Sequence, residues 1–394
     1  MKKIIYAFLL ALLACAVSYV STNKEGRFAK ASGEKQTLKY WQGALDATLY
    51  KWFPSRDSAA LNGALFINVG MDLQLVERKD ECGRPIGNAV VTNRDKLYEL
   101  LGMIQSTGNY KYLMLDVRFE EGYETDADSL LFSSIASMDR IVIPNHHNCT
   151  LADSILVPKA AYADYHMTLA EDGFTKYPLL SGKSSDPSLA LKMYSDITGR
   201  TVRRWGPLYV DGRSLSRKSV FPKMYVKSTR RSVGEAPIYW NMGSDILDKM
   251  RGEDYWEHLF DNKIIIIGSF EDNDLHETYT RELPGCVIHY NAFLSLVRGH
   301  HRIPVWMILL YFSVFFVMSL LVLCRKEDSR PALGWLFAKL FVIYSIILII
   351  ICIIVFTFWN QAHDIFITST LFSIIDICCR WLTKRKKMKE EKNA

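Results

Sequence analysis

Residues 263–304 read KIIIIGSFEDNDLHETYTRELPGCVIHYNAFLSLVRGHHRIP. The run Ile264–Gly268 is β-branched and closes on glycine, which is typical of a strand buried on both faces in a parallel sheet. A polar, acidic loop follows, and after Pro284 the apolar positions of Val287–Val297 recur at helical spacing. Beyond Pro304 the chain is apolar over the length of a membrane span. This stretch therefore predicts a buried strand, a loop and a helix that connect a globular domain directly to the bilayer.

The residues before this stretch alternate between strand-like and helix-like patterns. Strands are predicted over Ala64–Val69, Tyr112–Phe119 and Arg140–Pro144, and helices over Arg94–Ile104, Asp128–Met138, Ala190–Ile197 and Ile246–Phe260. Such alternation favours an α/β, layered domain with a mostly parallel sheet. Residues 22–302 are numerous enough to form this domain around one sizeable core.

Four apolar segments predict membrane helices, namely residues 1–21, 303–324, 335–359 and 365–382. Lys2 and Lys3 lie at the start of the first segment, lysines and arginines occur in the link 325–334 and dominate the tail 383–394, and the link 360–364 carries none. Because basic residues concentrate on the cytoplasmic side of a membrane, both termini are predicted to be cytoplasmic. We therefore expect a multi-pass protein of the cytoplasmic (inner) membrane, with its large domain extracytoplasmic, in the periplasm.

The first apolar segment admits two interpretations. Leu12-Leu13-Ala14-Cys15 resembles a lipoprotein cleavage box. The apolar run continues to Val20, however, and this length favours an uncleaved signal anchor. Both interpretations place the residues that follow outside the cytoplasm.

The composition argues against several classes of function. The net charge of +6 is explained by lysines that flank the membrane segments, and no nucleic-acid-binding motif occurs, so no nucleic-acid partner is expected. No nucleotide-binding glycine loop, Gly-x-Ser-x-Gly elbow or zinc-protease helix motif occurs either, so we expect neither an enzyme nor a cofactor. His146-His147 and Cys149 are too close in sequence to surround a metal ion, and no metal is expected there. Cys82, Cys149 and Cys286 are the three cysteines of the domain, so at most one disulfide forms, and Cys82–Cys149 is the candidate.

Several segments together resemble one family. The segments Ile264–Phe270 and Leu283–His289, with Asp274 between them, resemble the signature that ends CHASE2 domains, the extracytoplasmic sensory modules of bacterial receptors. Earlier pieces that resemble the family in the same order are Val69–Asp72, Pro85 followed by Arg94, Leu115–Phe119, and Asp126 or Asp128 followed by Leu130-Leu131. The resemblance extends over about Ala64–Pro304, and members of the family usually place three spans after the domain, as this chain is predicted to do.

This resemblance implies a membrane sensor that binds an unknown small-molecule or protein signal outside the cell. Members of the family usually continue into a cyclase, kinase or similar effector, whereas only a basic tail is expected after residue 382. A separate effector protein, in the membrane or the cytoplasm, is therefore expected to receive the signal, and the receptor itself is a candidate homodimer. The alternative is a non-signalling envelope scaffold that anchors another envelope protein.

In open α/β sheets, ligands bind beyond the carboxyl ends of the strands, so polar residues that follow the predicted strands define the candidate site. The candidate ligand-binding residues are Asp72, Arg94, Asp116, Arg118, Asp274, His276 and His289. Buried carboxylates and imidazoles are costly unless they are paired. We therefore expect these side chains either to bind a polar ligand or a divalent cation, or to satisfy backbone groups and cap helices; the second role would apply to Asp72, Asp116 and His289.

The predicted topology can be tested on intact spheroplasts. Protease added from outside is expected to digest the large domain and to leave a tag at Ala394 intact, because the tag would lie on the cytoplasmic side. Immunoblots against the tag and the domain measure both results. A protected domain, or a tag that is accessible from outside, would contradict this arrangement.

Overall fold

A computed structural model describes residues 2–23, 37, 40–41, 61–79, 84–147, 149–164, 176–181, 186–226, 238–250, 258–271, 274–278, 282–324, 333–361 and 365–393. The chain divides into two compact units. The sheet unit comprises Thr48–Arg204 and Lys218–Gly299. The membrane unit comprises Met1–Ala47, Trp205–Arg217 and His300–Ala394.

The described α-helices are α1 (Lys2–Thr22), α2 (Arg94–Thr107), α3 (Asp128–Ser137), α4 (Leu189–Thr198), α5 (Asp248–Met250), α6 (Gly285–Val297), α7 (Val305–Cys324), α8 (Leu333–Trp359) and α9 (Phe366–Asn393). The described strands are β1 (Ala64–Asn68), β2 (Leu73–Lys79), β3 (Pro85–Thr92), β4 (Tyr112–Leu115), β5 (Ile141–Asn145), β6 (Ala160–Tyr162), β7 (Tyr177–Pro178), β8 (Val202–Trp205), β9 (Leu208–Asp211), β10 (Ser214–Ser216), β11 (Ser219–Val220), β12 (Tyr239–Asn241), β13 (Ile264–Gly268), β14 (Leu275–Glu277), β15 (Glu282–Pro284) and β16 (Arg302–Ile303). A 3₁₀-helix covers Ser154–Lys159 and a π-helix covers Met242–Leu247.

The core of the sheet unit is a six-stranded sheet with the order β12-β1-β13-β4-β5-β6, in which every neighbouring pair is parallel. The isoleucine run forms β13, where Ile266 lies in register with Phe66 of β1 on one side and Met114 of β4 on the other. All five residues of β13 are buried. The predicted parallel sheet is therefore confirmed, and the isoleucine run is one of its two central strands.

Helix α2 packs on one face of this sheet. The Asn93 side chain caps it by accepting a hydrogen bond from the backbone N–H of Lys96 at 3.0 Å, and Gly108 ends it with a φ of 66°. Its buried residues, including Ile104, share one apolar core with α3 and with inward-facing strand residues such as Ile267. Burial of this helical face supplies the main stabilisation of the α2–sheet contact.

Helices α4 and α6 contact the opposite face. The ring of Tyr290 in α6 meets Phe66 of β1 edge to face, with ring centroids 5.6 Å apart. The hydroxyl of Tyr112 in β4 donates to the Asp196 carboxylate of α4 at 2.6 Å. Helices therefore cover this central part of the sheet on both faces, as expected for strands that are apolar throughout.

Two predicted elements of the sheet unit differ from the structure by four residues at one end. The strand predicted to reach Phe119 ends at Leu115, because its pairing with β13 ends there, and residues 116–118 beyond it line a cleft. The helix predicted over Ile246–Phe260 begins earlier, as the π-helix, whose Gly243 backbone N–H donates to the Asp72 carboxylate at 2.8 Å. Residues 251–257 of that prediction, and Cys82 of the candidate disulfide, lie outside the described residues.

The membrane unit contains long apolar helices. Among the described residues, three stretches are long and apolar enough to cross a membrane: Lys2–Thr22, Val305–Cys324 and Lys339–Trp359. The segment predicted over residues 365–382 is helical as part of α9, and its passage through the membrane stays a prediction. The short strands β9, β10 and β16 join these helices in the same unit and pair antiparallel, β10 lying between the other two.

The close contact at Gly268 predicts a stability effect. A β-carbon at Gly268 would lie 2.8 Å from Cβ of Cys286, closer than real β-carbons approach, and 3.0 Å from its Sγ, which is a tight contact. We expect Gly268→Ala to lower the free energy of unfolding by about 1–3 kcal/mol, since the buried helix start must shift. The matched control is Gly102→Ala, at an exposed position of α2 with nothing within 4 Å, which should be neutral or stabilising by up to about 1 kcal/mol. Denaturant midpoints of the two full-length variants measure the difference, and equal midpoints would contradict it.

Candidate functional site

A cleft of about 880 Å³ opens at the carboxyl ends of the parallel strands. Its lining comes from the residues that directly follow β1, β13, β4, β5 and β6, from the hairpin β2–β3, and from the start of α6. The lining residues include Leu73, Val90, Arg94, Asp116, Arg118, Glu120, His146, Asp164, Asp274, His276, Gly285 and His289. This is the edge at which ligands bind in other open α/β sheets.

Six of the seven candidate residues line this cleft. They are Arg94, Asp116, Arg118, Asp274, His276 and His289. The seventh, Asp72, does not: its buried carboxylate pairs with Lys96 Nζ at 2.5 Å and accepts from the Gly243 N–H at 2.8 Å. Asp72 therefore satisfies a backbone group at the start of a helix, the second of its two expected roles.

Asp116 follows the last residue of β4, and its backbone N–H is bonded to the Ile267 carbonyl at 2.7 Å. Burial is the main reason why the pKa of Asp116 is raised to about 7, and the negative charge of Asp274 acts in the same direction. The charges of His146, His276 and Arg118 lower this pKa, but less strongly. At neutral pH the Asp116 carboxyl group is therefore poised between its two protonation states.

His289 reaches the cleft from the second turn of α6 and is buried. Its Nδ1 lies 2.7 Å from the hydroxyl of Tyr177, and the two rings meet edge to face with centroids 5.5 Å apart. Burial lowers the pKa of His289 to about 3, and the charges of His146 and His276 act in the same direction. The imidazole of His289 is therefore neutral at physiological pH and acts as a hydrogen-bonding group.

Arg94, the first residue of α2, is almost fully buried beside the cleft, with 1% of its surface exposed. Its Nε lies 3.5 Å from Asp128, its Nη2 donates to the Arg118 carbonyl at 2.7 Å, and its guanidinium lies over the Phe119 ring at 4.5 Å. Burial lowers the pKa of Arg94 to about 10, against the opposing charge of Asp128. These contacts indicate that Arg94 positions the chain after β4, from which Asp116 and Arg118 face the cleft.

The structure adds cleft residues that the sequence did not indicate. His146 follows β5, and its Nδ1 lies 2.8 Å from the carboxylate of Asp164, which follows the three-residue strand β6. Asp164 also accepts a hydrogen bond from the backbone N–H of His147 at 2.5 Å. The sequence marks His146 only as a possible metal ligand, and its position two residues after the predicted strand Arg140–Pro144 is the signal that could have marked it for the cleft. β6 is too short for its pattern to mark Asp164.

The geometry bears on metal binding and on cysteine chemistry. Within the part of the chain that the structure describes, no group of three or more His, Cys, Asp or Glu side chains is arranged to hold a metal ion. The thiol of Cys286 is buried at the start of α6, and burial, followed by the charges of Asp116 and Asp274, raises its pKa well above its ordinary value. Cys286 is therefore a protonated packing residue, not a nucleophile.

The comparison with family models identifies the class of protein. The model described as CHASE2 domain matches residues 31–324, which is most of the chain, so the chain belongs to the CHASE2 family. CHASE2 domains are extracellular sensory domains, and together with the apolar helices this supports a sensor role at a membrane. Searches of curated proteins and of solved structures found no similar chain.

The raised pKa of Asp116 predicts a pH-dependent effect of its substitution. In the unfolded chain Asp116 ionises near its ordinary pKa of 3.8, but in the folded protein only near 7, so its ionisation progressively destabilises the fold as pH rises between these values. Asp116→Asn removes this effect. Its stability gain over the wild type should therefore grow from pH 3.8 to about 7 and remain constant above. Thermal midpoints across this range measure the gain, with the exposed Asp139→Asn as control. A gain that does not change with pH would contradict the assignment.

Proposed function

We propose that this protein is a membrane receptor, not an enzyme, whose extracytoplasmic CHASE2 domain binds a small ligand in the cleft and passes the signal to a separate effector protein. The observation that carries this proposal is the convergence of Asp116, Asp274, His276 and His289 on one cleft at the carboxyl ends of the sheet. Polar and titratable groups in a largely preformed concave site are the usual mark of small-molecule binding.

Helix α6 supports a route from this cleft to the membrane. Gly285 and His289 of α6 line the cleft, the helix ends at Val297, and the apolar helix α7 begins at Val305. The covalent link between them contains Gly299, whose φ of 77° is accessible mainly to glycine. A change in the position of α6 on ligand binding would thus act on the start of a membrane helix through a short segment of chain.

Polar contacts within the membrane unit join the segments around that start. Asp211 of β9 is buried and accepts from His301 at 2.8 Å and from Arg302 at 2.7 Å. The hydroxyl of Tyr19 in α1 donates to the Ser216 carbonyl at 3.0 Å and accepts from a backbone N–H of β9 at the same distance. The strands before α7 and the end of α1 are therefore tied together by directional bonds, which favours coordinated movement of the two helices.

The mechanism we propose is a population shift. A ligand changes the balance between two arrangements of the membrane helices only if it binds one arrangement more tightly than the other. In this scheme α9 crosses the inner membrane as the fourth span, both termini are cytoplasmic, and the effector contacts the helices or the tail 383–394. The receptor acts either alone or as a homodimer.

Photo-cross-linking in cells can test this proposal. A photoreactive residue at Leu382, which is 60% exposed in α9, should capture the effector. Because coupling free energies of allosteric proteins correspond to changes of about fivefold or more, His276→Ala in the cleft is expected to change the cross-linking yield by about that factor. Quantitative immunoblots of the cross-linked product measure the yield.

The matched control is His258→Ala. His258 also pairs with an aspartate, Asp261, at 2.8 Å, but it is exposed and is not among the cleft residues. Its substitution should leave the yield unchanged. If the wild type, His276→Ala and His258→Ala all capture the partner equally, signal transmission is contradicted and the scaffold function is favoured.

A further inference from the structure

The cleft has one apolar wall and one titratable wall. The apolar wall belongs to the hairpin β2–β3, in which Leu73 lies opposite Thr92 and Leu75 opposite Val90. Leu73 and Val90 line the cleft, and 46% and 60% of their respective surfaces are exposed. A ligand with a hydrocarbon part would remove this apolar surface from water, which is favourable.

Most charged side chains of the titratable wall already have a partner of opposite charge. The pairs are Arg118 with Glu120 at 4.0 Å, His146 with Asp164 at 2.8 Å, and His276 with Asp274 at 3.3 Å. For the Asp116 carboxylate, no ion pair or hydrogen bond is found among the described residues. Asp116 is thus the position at which a bound cation would gain most.

The side chains of the titratable wall restrict the class of ligand that can bind there. A metal ion is disfavoured, because the described His, Cys, Asp and Glu side chains include no group arranged to hold one. An anion is disfavoured as well, because the carboxylates of Asp116 and Asp274 would repel it, and the positive side chains Arg118, His146 and His276 are each already paired with a carboxylate. An organic cation that donates hydrogen bonds avoids both difficulties.

We propose that the cleft binds a small primary amine, whose ammonium group donates hydrogen bonds to Asp116 and Asp274 while its hydrocarbon part packs against Leu73 and Val90. Hydrogen bonds between two charged groups are the strongest that side chains form, and they are directional. The two walls therefore recognise the two ends of one molecule. The inference rests on the proposed function, since it names the chemical class of the signal.

Three probes of equal length can test the polar end of this ligand: n-butylammonium, 1-butanol and butyrate. Each is titrated into the full chain in lipid nanodiscs at pH 8 and followed by ligand-observed NMR, with empty nanodiscs as the blank. We expect n-butylammonium to bind at least about tenfold more tightly than either of the other probes, the ratio for one hydrogen bond to a charged group. Equal or tighter binding of 1-butanol or butyrate would overturn the proposal.

Variants locate the binding within the cleft. Asp116→Asn should abolish the preference for n-butylammonium, Asp274→Asn should weaken it, and the exposed Asp139→Asn should leave it unchanged. Thermal midpoints of the same samples show whether each variant is folded. If the Asp116 variant does not fold, the Asp274 variant alone tests where the amine binds. A preference that survives both cleft substitutions would place the amine elsewhere and overturn the proposal.

Chain length tests the apolar wall. One further buried methylene should make n-pentylammonium bind about fourfold more tightly than n-butylammonium. Val90→Ser should remove most of this gain, whereas Val76→Ser, on the same hairpin but not among the cleft residues, should not. An unchanged gain in the Val90 variant would contradict the role of the hairpin.

The two proposals can fail separately. If no alkylammonium binds the wild type but His276→Ala still changes the cross-linking yield at Leu382, the receptor function stands and the ligand class is wrong. If binding and the cross-linking response are both absent, the sensory role of the cleft is wrong as well.

Discussion

The missing side chain at Gly268 is the constraint on which the rest of the sheet unit depends. A β-carbon at this position would lie 2.8 Å from the Cβ of Cys286 and 3.4 Å from the Cβ of Asp116. Only glycine allows the first turn of α6 to begin over the end of β13 at this separation. This close approach places Gly285 and His289 at the same edge of the sheet as Asp116, which follows β4. The cleft forms where several segments meet around one residue without a side chain.

Burial, more than the pairing of charges, controls the electrostatics of this edge. Burial raises the pKa of Asp116 to about 7 and lowers the pKa of His289 to about 3. If attraction between carboxylates and imidazolium ions were the larger effect, both pKa values would move in the opposite directions. Instead His289 stays neutral beside Tyr177 and supplies no positive charge to Asp116. The positive charges of Arg118, His146 and His276 offset the burial of Asp116 only in part, and this incomplete compensation is the physical basis of the proposed amine ligand.

Local patterns predicted much of this arrangement, and long-range contacts account for what they missed. The isoleucine run predicted β13, because a strand buried on both faces is apolar throughout. The helical spacing of apolar residues predicted α2, because a helix buried on one face is apolar on that face. Asp72 was placed correctly after a strand, but its partner Gly243 is 171 residues away and no local pattern reveals the bond. The same holds for the pair of His146 and Asp164, since the short strand β6 has too few residues to show periodicity.

In the proposed receptor, one helix, α6, would serve both ligand recognition and signal output. Its first half carries cleft residues, and its end leads along the chain to β16 and α7. Apolar packing alone would let such a segment slide, because dispersion contacts have little directional preference. In the membrane unit, however, Asp211 holds both His301 and Arg302 through one carboxylate oxygen, and this pairing is either formed or broken. Coupling between sites requires an element with two discrete arrangements. In the proposed receptor, this buried contact just before α7 would be that element.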